Sequence, residues 1–324
     1  MADDTHEKAS VSPEQFGASL APSLIDACGG SLSDLRFFTT AWQQGGAATA
    51  YGAWCHDDGT EREVVVKAPV GWTEFQFTRD LGARNAPTPR VAACGDELGA
   101  YDLAWLVIER IPGDPLSSDL KKKDVLDLCA AAASFYKESL DCFGPPTKAP
   151  TPVEWESYIE RARQSVRDNA IPEEQRWKEA LKATSKALPG LISAWRARST
   201  RFWRHGDFHP GNAMRRPEDS AWGPSECVLI DLARVTPGHW VTDAVYLERI
   251  HWGKPEMLHG VKPAKAMAKA MRKIGLDPGD DYSDLANIRR LLTAACTPVF
   301  LEREGHPKHV IGALEALEHT LKLV

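Results

Sequence analysis

The chain has 324 residues, a formal net charge of −6 at pH 7 and a hydrophobic content of 43%. This length and apolar content are sufficient for a globular protein of two lobes with a sizeable core. The acidic balance and the lack of a long lysine- and arginine-rich stripe argue against a nucleic-acid partner, because such binding requires the neutralisation of phosphates.

Neither the N-terminus nor any apolar run predicts export or membrane insertion. The N-terminus has no basic start followed by an apolar segment, and no apolar run approaches the roughly 20 residues that span a bilayer. The seven cysteines are scattered without a CxxC pair, which argues against a disulfide framework and a structural zinc site. We therefore expect a cytoplasmic protein with no membrane partner; its oligomeric state is unknown from sequence.

The first third of the chain is predicted to combine a sheet with helices. Residues 1–30 are expected to form a polar tail and a short helix. The clearest strands are 64–67 and 105–109, because both are rich in β-branched or aromatic residues. Between them, helical spacing predicts a helix over 73–81.

From residue 112 onwards the sequence is predicted to be mainly helical. Apolar residues recur at three- and four-residue steps over 125–136, which places one face of a helix in the core. The Thr-Pro-Val-Glu run at 151–154 is typical of a capping box and predicts the start of a second helix. Further helices are predicted from about 176 to 198 and through most of 240–323.

A polar cluster lies in a predicted island of strands and loops at 203–232. A hairpin within this island is expected to bring Asp207, Asn212 and Asp231 together at strand ends. Phosphoryl transfer needs a carboxylate that orients the attacking hydroxyl and accepts its proton, and hard oxygen ligands that hold Mg²⁺ on the phosphates. Asp207 suits the first task, and the other two residues suit the second.

The same residues resemble the catalytic motifs of the aminoglycoside phosphotransferase and choline kinase superfamily. The His-Gly-Asp motif at 205–207, followed by four residues and Asn212, is similar to the catalytic loop of that family. The Ile-Asp-Leu motif at 230–232, followed by Gly238 and Asp243, resembles its metal-binding motif and the residues after it. The resemblance implies the same three roles, with Asp207 as the catalytic base, and adds Asp243 as a brace of the catalytic loop.

Two residues of these motifs have alternative interpretations. His205 is expected to be structural, with hydrogen bonds inside the catalytic loop. The pattern His205-x-Asp207-x-His209 also matches a transition-metal ligand set, although a metal hydrolase would leave the later asparagine and aspartate unexplained. Asp243 also suits the N-cap of the helix that follows, which is compatible with the bracing role.

Upstream segments extend the resemblance over about residues 35–250. Gly45 and Gly46 are similar to the glycine turn that covers the nucleotide, where a missing side chain lets the backbone approach phosphates. Lys67 resembles the strand lysine that contacts the α- and β-phosphates, and Glu74 resembles the acid that pairs with it. ATP is the expected nucleotide, GTP is possible, and Mg²⁺ is the expected metal.

The resemblance also implies an α+β, protein-kinase-like fold of two lobes. The expected organisation is a tail and short helix at 1–30, a small mixed α/β N-lobe at 31–111, and a larger, mainly helical C-lobe at 112–324. The active site is expected in the cleft between the lobes. Backbone groups at Glu109 and Ile111 resemble the hinge that binds the nucleobase.

Departures from the protein-kinase pattern favour a small hydroxylated acceptor. Gly206 stands where protein kinases carry Arg, and no Phe-Gly follows Asp231. Arg234 is unexpected at its position and is a candidate ligand for an anionic group on the acceptor. Four residues belong either to the acceptor wall or to the core, namely Trp240, Trp252, Glu248 and His251. Five acidic residues either attract a cationic amine or form a solvated face, namely Asp280, Asp281, Asp284, Glu302 and Glu304.

The sequence therefore predicts a kinase that phosphorylates a small aminoglycoside-, amino-alcohol- or sugar-like molecule. The alternatives are a catalytically silent kinase-fold protein that binds nucleotide, a protein kinase, and a metal hydrolase. The fold alone does not select the acceptor, because this fold accommodates many substrates.

Overall fold

The computed structural model describes residues 12–38 and 47–324. These residues divide into two units. The first contains the chain up to Arg84 and the segments Thr88–Pro112 and Pro217–Ser225. The second contains the remaining segments, which are Asn85–Pro87, Gly113–Arg216 and Glu226–Val324.

The first unit is an antiparallel sheet of five strands, as far as the chain is described, together with two helices. The elements are α1 (Pro13–Ala27), β1 (Leu32–Phe38), β2 (Ala48–Cys55), β3 (Glu61–Ala68), α2 (Trp72–Gly82), β4 (Val91–Gly95) and β5 (Trp105–Glu109). The sheet order is β1-β2-β3-β5-β4. The predicted strands and the helix predicted over 73–81 are confirmed as β3, β5 and α2.

Alternation along β3 decides which side of the sheet each of its side chains faces. Val64 and Val66 are fully buried in one apolar cluster. Val65 packs on the opposite side, in a cluster that contains Phe75 of α2. Because Lys67 follows Val65 by two residues, it lies on the α2 side of the sheet.

The second unit is mainly helical and carries two short antiparallel strand pairs, β6 with β9 and β7 with β8. The predicted hairpin and the helices predicted from about 176 to 198 and across 240–323 are confirmed. The elements are α3 (Lys122–Phe143), α4 (Trp155–Asp168), α5 (Glu174–Ala197), β6 (Phe202–Arg204), β7 (Ala213–Arg215), β8 (Cys227–Leu229), β9 (Thr236–Gly238), α6 (Val241–Arg249), α7 (Pro263–Lys273), α8 (Tyr282–Ala295), α9 (Leu301–Glu304) and α10 (Pro307–Leu321).

The start of α4 differs from the sequence prediction. The helix begins at Trp155, and its N-cap is Glu154, which makes no side-chain capping hydrogen bond. The run 151–154 is exposed, whereas Trp155 and Ile159 begin the buried stripe of the helix. The helix therefore begins where tertiary packing begins, because packing of the apolar face supplies most of the stability of a helix in a protein.

The loop between β7 and β8 contributes a segment to the first unit. Trp222 packs against the apolar cluster of the sheet, and the guanidinium of Arg62 lies 5.2 Å from the centre of its ring. Arg62 also donates a hydrogen bond of 3.0 Å to the carbonyl of Ala221. Cation–π and hydrogen-bond contacts thus hold this segment against β3.

All seven cysteines are free thiols. Across residues 12–38 and 47–324, every helix is too short or too polar to cross a membrane. The α+β class predicted from the sequence is confirmed by the sheet of the first unit and the helices of the second.

Candidate active site

The turn after β6 is held by a buried carboxylate on α6. Asp243 is 1% exposed, and its Oδ2 accepts the backbone N–H of His205 at 2.8 Å and the hydroxyl of Tyr136 at 3.0 Å. Its Oδ1 accepts the N–H of Gly206 at 3.1 Å. Three donors therefore satisfy this carboxylate, as a buried charge requires. Asp243 does not form the N-cap of α6, because Trp240 occupies that position.

His205 connects the predicted catalytic turn, residues 205–207, to the predicted metal motif at 230–232. The residue is buried, and its Nε2 lies 3.1 Å from the carbonyl of Ile230, directly before Asp231. The backbone N–H of Asp207 lies 3.4 Å from its Nδ1. Burial lowers the pKa of His205, which favours a neutral ring with one donating and one accepting nitrogen. With both nitrogens engaged, the ring is a poor candidate for a transition-metal ligand.

Gly206 occupies a position that no other residue fits. Its φ is +83°, a region that only glycine adopts readily. A Cβ built on Gly206 would lie 2.1 Å from the carbonyl oxygen of Arg234. This close approach explains why the residue before Asp207 lacks a side chain, and it places the backbone of Arg234 against the catalytic turn.

Pairing of β7 with β8 brings the three chemically important residues into one cluster. Asn212 directly precedes β7, and its carbonyl accepts the N–H of Ile230 at 2.9 Å. Its side-chain Nδ2 donates to the backbone carbonyl of Asp207 at 3.0 Å. Asp231 follows Ile230 in a left-handed conformation and is exposed. Asn212 is thus joined to Asp207 by its side chain and, through its own carbonyl, to Ile230, the residue directly before Asp231.

The donor set of this cluster fits Mg²⁺. The amide nitrogen of Asn212 is bound to a backbone carbonyl, so the opposite oxygen of that amide and the exposed carboxylate of Asp231 are suited to a hard cation. Among the described residues, no three His, Cys, Asp or Glu side chains are grouped so as to hold a metal ion. A site with one or two protein ligands matches Mg²⁺ bound together with phosphates and water.

Tyr246, which the sequence interpretation did not identify, orients the carboxylate of Asp207. Its hydroxyl donates to Oδ1 of Asp207 at 2.8 Å. Burial, followed by the hydrogen bond to Asp207, raises the pKa of Tyr246 to about 12, so the hydroxyl keeps its proton. The signal that could have identified it is its position three residues after Asp243, on the same face of α6.

His209 completes the surroundings of this carboxylate. Its Nε2 lies 3.7 Å from Oδ1 of Asp207, and its Nδ1 accepts the N–H of Gly211 at 3.0 Å. Burial lowers the pKa of His209. The ring is therefore a neutral neighbour of Asp207 at neutral pH rather than a fixed counter-charge.

In the first unit, Lys67 and Glu74 form an ion pair between Nζ and Oε1. The side chains are 23% and 10% exposed. The alternation of β3 brings the lysine to the α2 side of the sheet, where Glu74 lies in the first turn of the helix. The pair holds the ammonium in one place, as a phosphate-binding lysine requires.

Four other residues are predicted to bind the nucleotide, namely Gly45, Gly46, Glu109 and Ile111. Gly45 and Gly46 lie outside the described residues. Glu109 is buried, and its N–H donates to the carbonyl of Arg90 at 2.8 Å. A nucleobase contact at Glu109 would therefore have to use its carbonyl. Ile111 is 7% exposed and follows the end of β5.

The candidate acceptor-wall residues divide into core and cavity. Trp240 is fully buried and donates from Nε1 to the carbonyl of Pro278 at 3.0 Å, so it belongs to the core. Glu248, His251 and Trp252 line a cavity of about 540 Å³ between α6, α7 and α8. A volume of this size is typical of a small-molecule site.

Comparison with known proteins agrees with the predicted resemblance. The family model described as "Phosphotransferase enzyme family" matches residues 39–270, which is more than half of the chain. A search of curated proteins found no match.

Similar solved structures have the same fold. A candidate aminoglycoside phosphotransferase from Ralstonia eutropha has a TM-score of 0.55 at 12% identity, covering 93% of this chain and 96% of the other. Choline kinase from Cryptosporidium parvum has a TM-score of 0.51 at 9% identity, covering 95% and 94%. Aminoglycoside 2'-phosphotransferase-IIIa, solved with GDP, has a TM-score of 0.50 at 13% identity, covering 96% and 99%.

These similarities confirm the kinase-like fold predicted from the sequence. The family match rests on the sequence itself and spans Lys67, the turn at 205–207 and the motif at 230–232. The chain belongs to the phosphotransferase enzyme family.

Proposed function

We propose that this chain is a kinase that transfers the γ-phosphoryl group of ATP to a hydroxyl of a small acceptor. The observation that carries the proposal is the oriented carboxylate of Asp207. Tyr246 binds its Oδ1, and no described residue bonds its Oδ2. A carboxylate with one oxygen fixed and the other open is suited to accept the proton of an attacking hydroxyl.

The proposed transfer consists of four changes in bonding, in which atoms and electrons balance. The acceptor hydroxyl gives its proton to Oδ2 of Asp207, and its oxygen forms a bond to the γ-phosphorus. The bond from the γ-phosphorus to the bridging oxygen breaks, and ADP leaves with that electron pair. Asp207 later releases the proton to water. Positioning and charge stabilisation supply most of the rate enhancement in this reaction class.

Asn212 and Asp231 would hold Mg²⁺ in the proposed enzyme. When bound, the ion neutralises charge on the phosphates and on the departing oxygen. Lys67, held by Glu74, would bind the α- and β-phosphates. Gly45 and Gly46 are proposed to cover the phosphates, and the backbone at Glu109 and Ile111 to bind the base.

The names of the similar proteins support nucleotide use and a small acceptor. One was solved with GDP and is an aminoglycoside phosphotransferase; another is a choline kinase, and a third with a TM-score of 0.50 is an aminopropanol kinase. We propose ATP as the donor with GTP as the alternative, and an acceptor from the aminoglycoside, amino-alcohol or sugar classes.

The test is nucleotide consumption in the presence of a broad panel of hydroxylated acceptors. Purified protein is incubated with ATP or GTP and Mg²⁺, and phosphorus NMR identifies any new phosphate ester. The expected result is one acceptor class converted to a phosphate ester, with transfer abolished by a chelator. A nucleotide-dependent rise in Tm without transfer to any acceptor would favour the silent nucleotide-binding protein instead.

A further inference from the structure

Tyr246, which donates to Asp207, forms part of the wall of a cavity of about 310 Å³. A ligand in this cavity would therefore lie beside the residue that orients the base. The other charged or titratable residues that line it are Arg249, Arg303, Glu304, His306 and His309.

The charged side chains that line this cavity have a net positive charge. Its one carboxylate, Glu304, is ion-paired with Arg249 and lies 3.5 Å from Nε2 of His309. Burial opposes ionisation of Glu304, but its contacts with His309 and Arg249 outweigh burial and lower its pKa. Arg303 is exposed and has no ion pair or hydrogen bond to any described residue. One arginine charge thus remains after Glu304 is neutralised.

Arg234 adds a second arginine close to Gly206. Its Cβ would lie 3.2 Å from a Cβ on Gly206, the residue before the proposed base. The residue is exposed and makes no ion pair within the part of the chain that the structure describes. The positive charges of Arg249 and Arg234 both act to lower the pKa of Tyr246, whereas burial raises it. Arg234 is therefore close enough to Tyr246 to interact with it electrostatically.

The larger cavity, of about 540 Å³, is also lined by more positively than negatively charged side chains. Its carboxylate, Glu248, is ion-paired with Arg290 at 2.7 Å. Lys262 and Lys265 also line it; both are exposed, and neither forms an ion pair with a described residue. Of the five acidic residues considered as amine ligands, only Glu304 lines either cavity. The walls of both cavities therefore offer cations where an amine would need anions.

We infer that the acceptor carries an anionic group, a carboxylate or a phosphate ester, in addition to the hydroxyl that receives the phosphoryl group. Arg303, in the wall of the smaller cavity, binds this group, and Asp207 receives the hydroxyl proton. Guanidinium groups bind both kinds of anion through paired hydrogen bonds. This inference rests on the proposed function, since it names the acceptor class of the same site.

The test compares acceptors that share one scaffold and differ in one group. The first set is glucose, glucosamine, glucuronate and glucose 6-phosphate; the second is glycerol, aminopropanediol, glycerate and glycerol phosphate. We expect kcat/KM for an anionic member to exceed that of the neutral and amine members by at least about tenfold, a ratio that one charge-assisted contact can supply. The carboxylate and phosphate members separate the two anion sources.

An arginine variant links this preference to the cavity. Arg303→Glu is expected to lower kcat/KM for the anionic members by about tenfold or more and to leave nucleotide binding unchanged. Arg196→Glu is the matched control, because Arg196 is an exposed arginine of α5 that lines neither cavity. It should behave as the unaltered protein.

Binding separates a failure of this inference from a failure of the proposed function. Thermal shifts are measured with the same compounds on the unaltered protein and on both arginine variants. Anionic members that raise Tm only when Arg303 is present, without any phosphate ester formed, would support the inference and contradict the proposed transfer. Three results would each overturn the inference. They are a preference for the amine members, effects of the anionic members on Tm or turnover that persist in Arg303→Glu, and the absence of both a Tm shift and turnover with every anionic member.

Discussion

The hydroxyl of Tyr246 lies 2.8 Å from Oδ1 of Asp207, so one helix supports the catalytic turn twice. One turn earlier on α6, Asp243 binds the backbone of His205 and Gly206. The side chain and the backbone of the turn are therefore both fixed to the same rigid element. Such support is what holds a catalytic group in a productive geometry.

Removal of this tyrosine hydroxyl should affect the chemical step more than acceptor binding. Tyr246→Phe leaves Oδ1 of Asp207 without its donor, and a hydrogen bond to a charged group contributes about 1.5–3 kcal/mol. We expect kcat to fall by roughly tenfold or more, with a smaller change in KM. Tyr101→Phe is the control, because Tyr101 is an exposed tyrosine of the first unit. Equal kinetics for both variants would contradict the positioning role.

A side chain at position 206 should destabilise the fold through contact as well as through backbone strain. Gly206→Ala places a Cβ against the carbonyl of Arg234 at a φ of +83°. We expect a loss of at least about 1–3 kcal/mol in the free energy of unfolding, together with loss of transfer. Gly29→Ala is the matched control, since Gly29 has a φ of +59° but no atom within 4 Å of its added Cβ. Equal losses in urea unfolding would show that the contact is unimportant.

The ion pair of the first unit should matter for nucleotide use. Glu74→Gln removes the charge that holds Lys67 and is expected to lower kcat/KM for the nucleotide by about tenfold, as expected for an unfixed phosphate-binding lysine. Glu61→Gln, at the exposed first residue of β3, the strand that carries Lys67, should have no effect. A double-mutant cycle with Lys67→Met should show coupling between positions 67 and 74. Additive effects would contradict a functional pair.

Stability should fall on acidification because of a buried histidine outside the active site. His239 is 3% exposed and accepts the N–H of Val241 at Nδ1. Burial, with the charges of Arg198 and Arg201, lowers the pKa of His239 to about 3. Between its unfolded pKa of about 6.5 and that value, the unfolded chain binds the extra proton, so stability rises with pH and is lost as pH falls.

The measurement is the free energy of unfolding in urea between pH 4 and 7. His239→Asn keeps an acceptor near Nδ1 and should reduce the pH slope by up to about 1.4 kcal/mol per pH unit. His319→Asn, at an exposed position of α10, should leave the slope unchanged. An unchanged slope in His239→Asn would show that this ring is not the titrating group.

Local patterns predicted the elements of this fold well where packing agrees with them. The β-branched run at 64–67 predicted β3, and the family resemblance, not the period of the strand, implied that Lys67 pairs with Glu74. The spacing of Asn212 and Asp231 around a short hairpin likewise indicated that they would meet, because antiparallel pairing brings the ends of a hairpin together.

Contacts between distant segments could not be predicted in this way. The bond between Tyr246 and Asp207 depends on how α6 packs beside the catalytic turn, 39 positions away in sequence. The start of α4 followed burial of Trp155 rather than its capping sequence, because tertiary packing outweighs local propensity. The ion pair between Glu304 and Arg249 likewise joins two helices that are distant in sequence, so no local pattern indicated it.

The role of Asp207 is tested most directly by the variant Asp207→Asn, assayed for phosphate-ester formation on the acceptor that the unaltered protein uses. The amide keeps the size of the side chain but does not accept the hydroxyl proton. We predict that kcat falls by roughly 10²–10⁴-fold while the nucleotide-dependent rise in Tm is retained. Turnover close to that of the unaltered protein would contradict the assignment of Asp207 as the catalytic base.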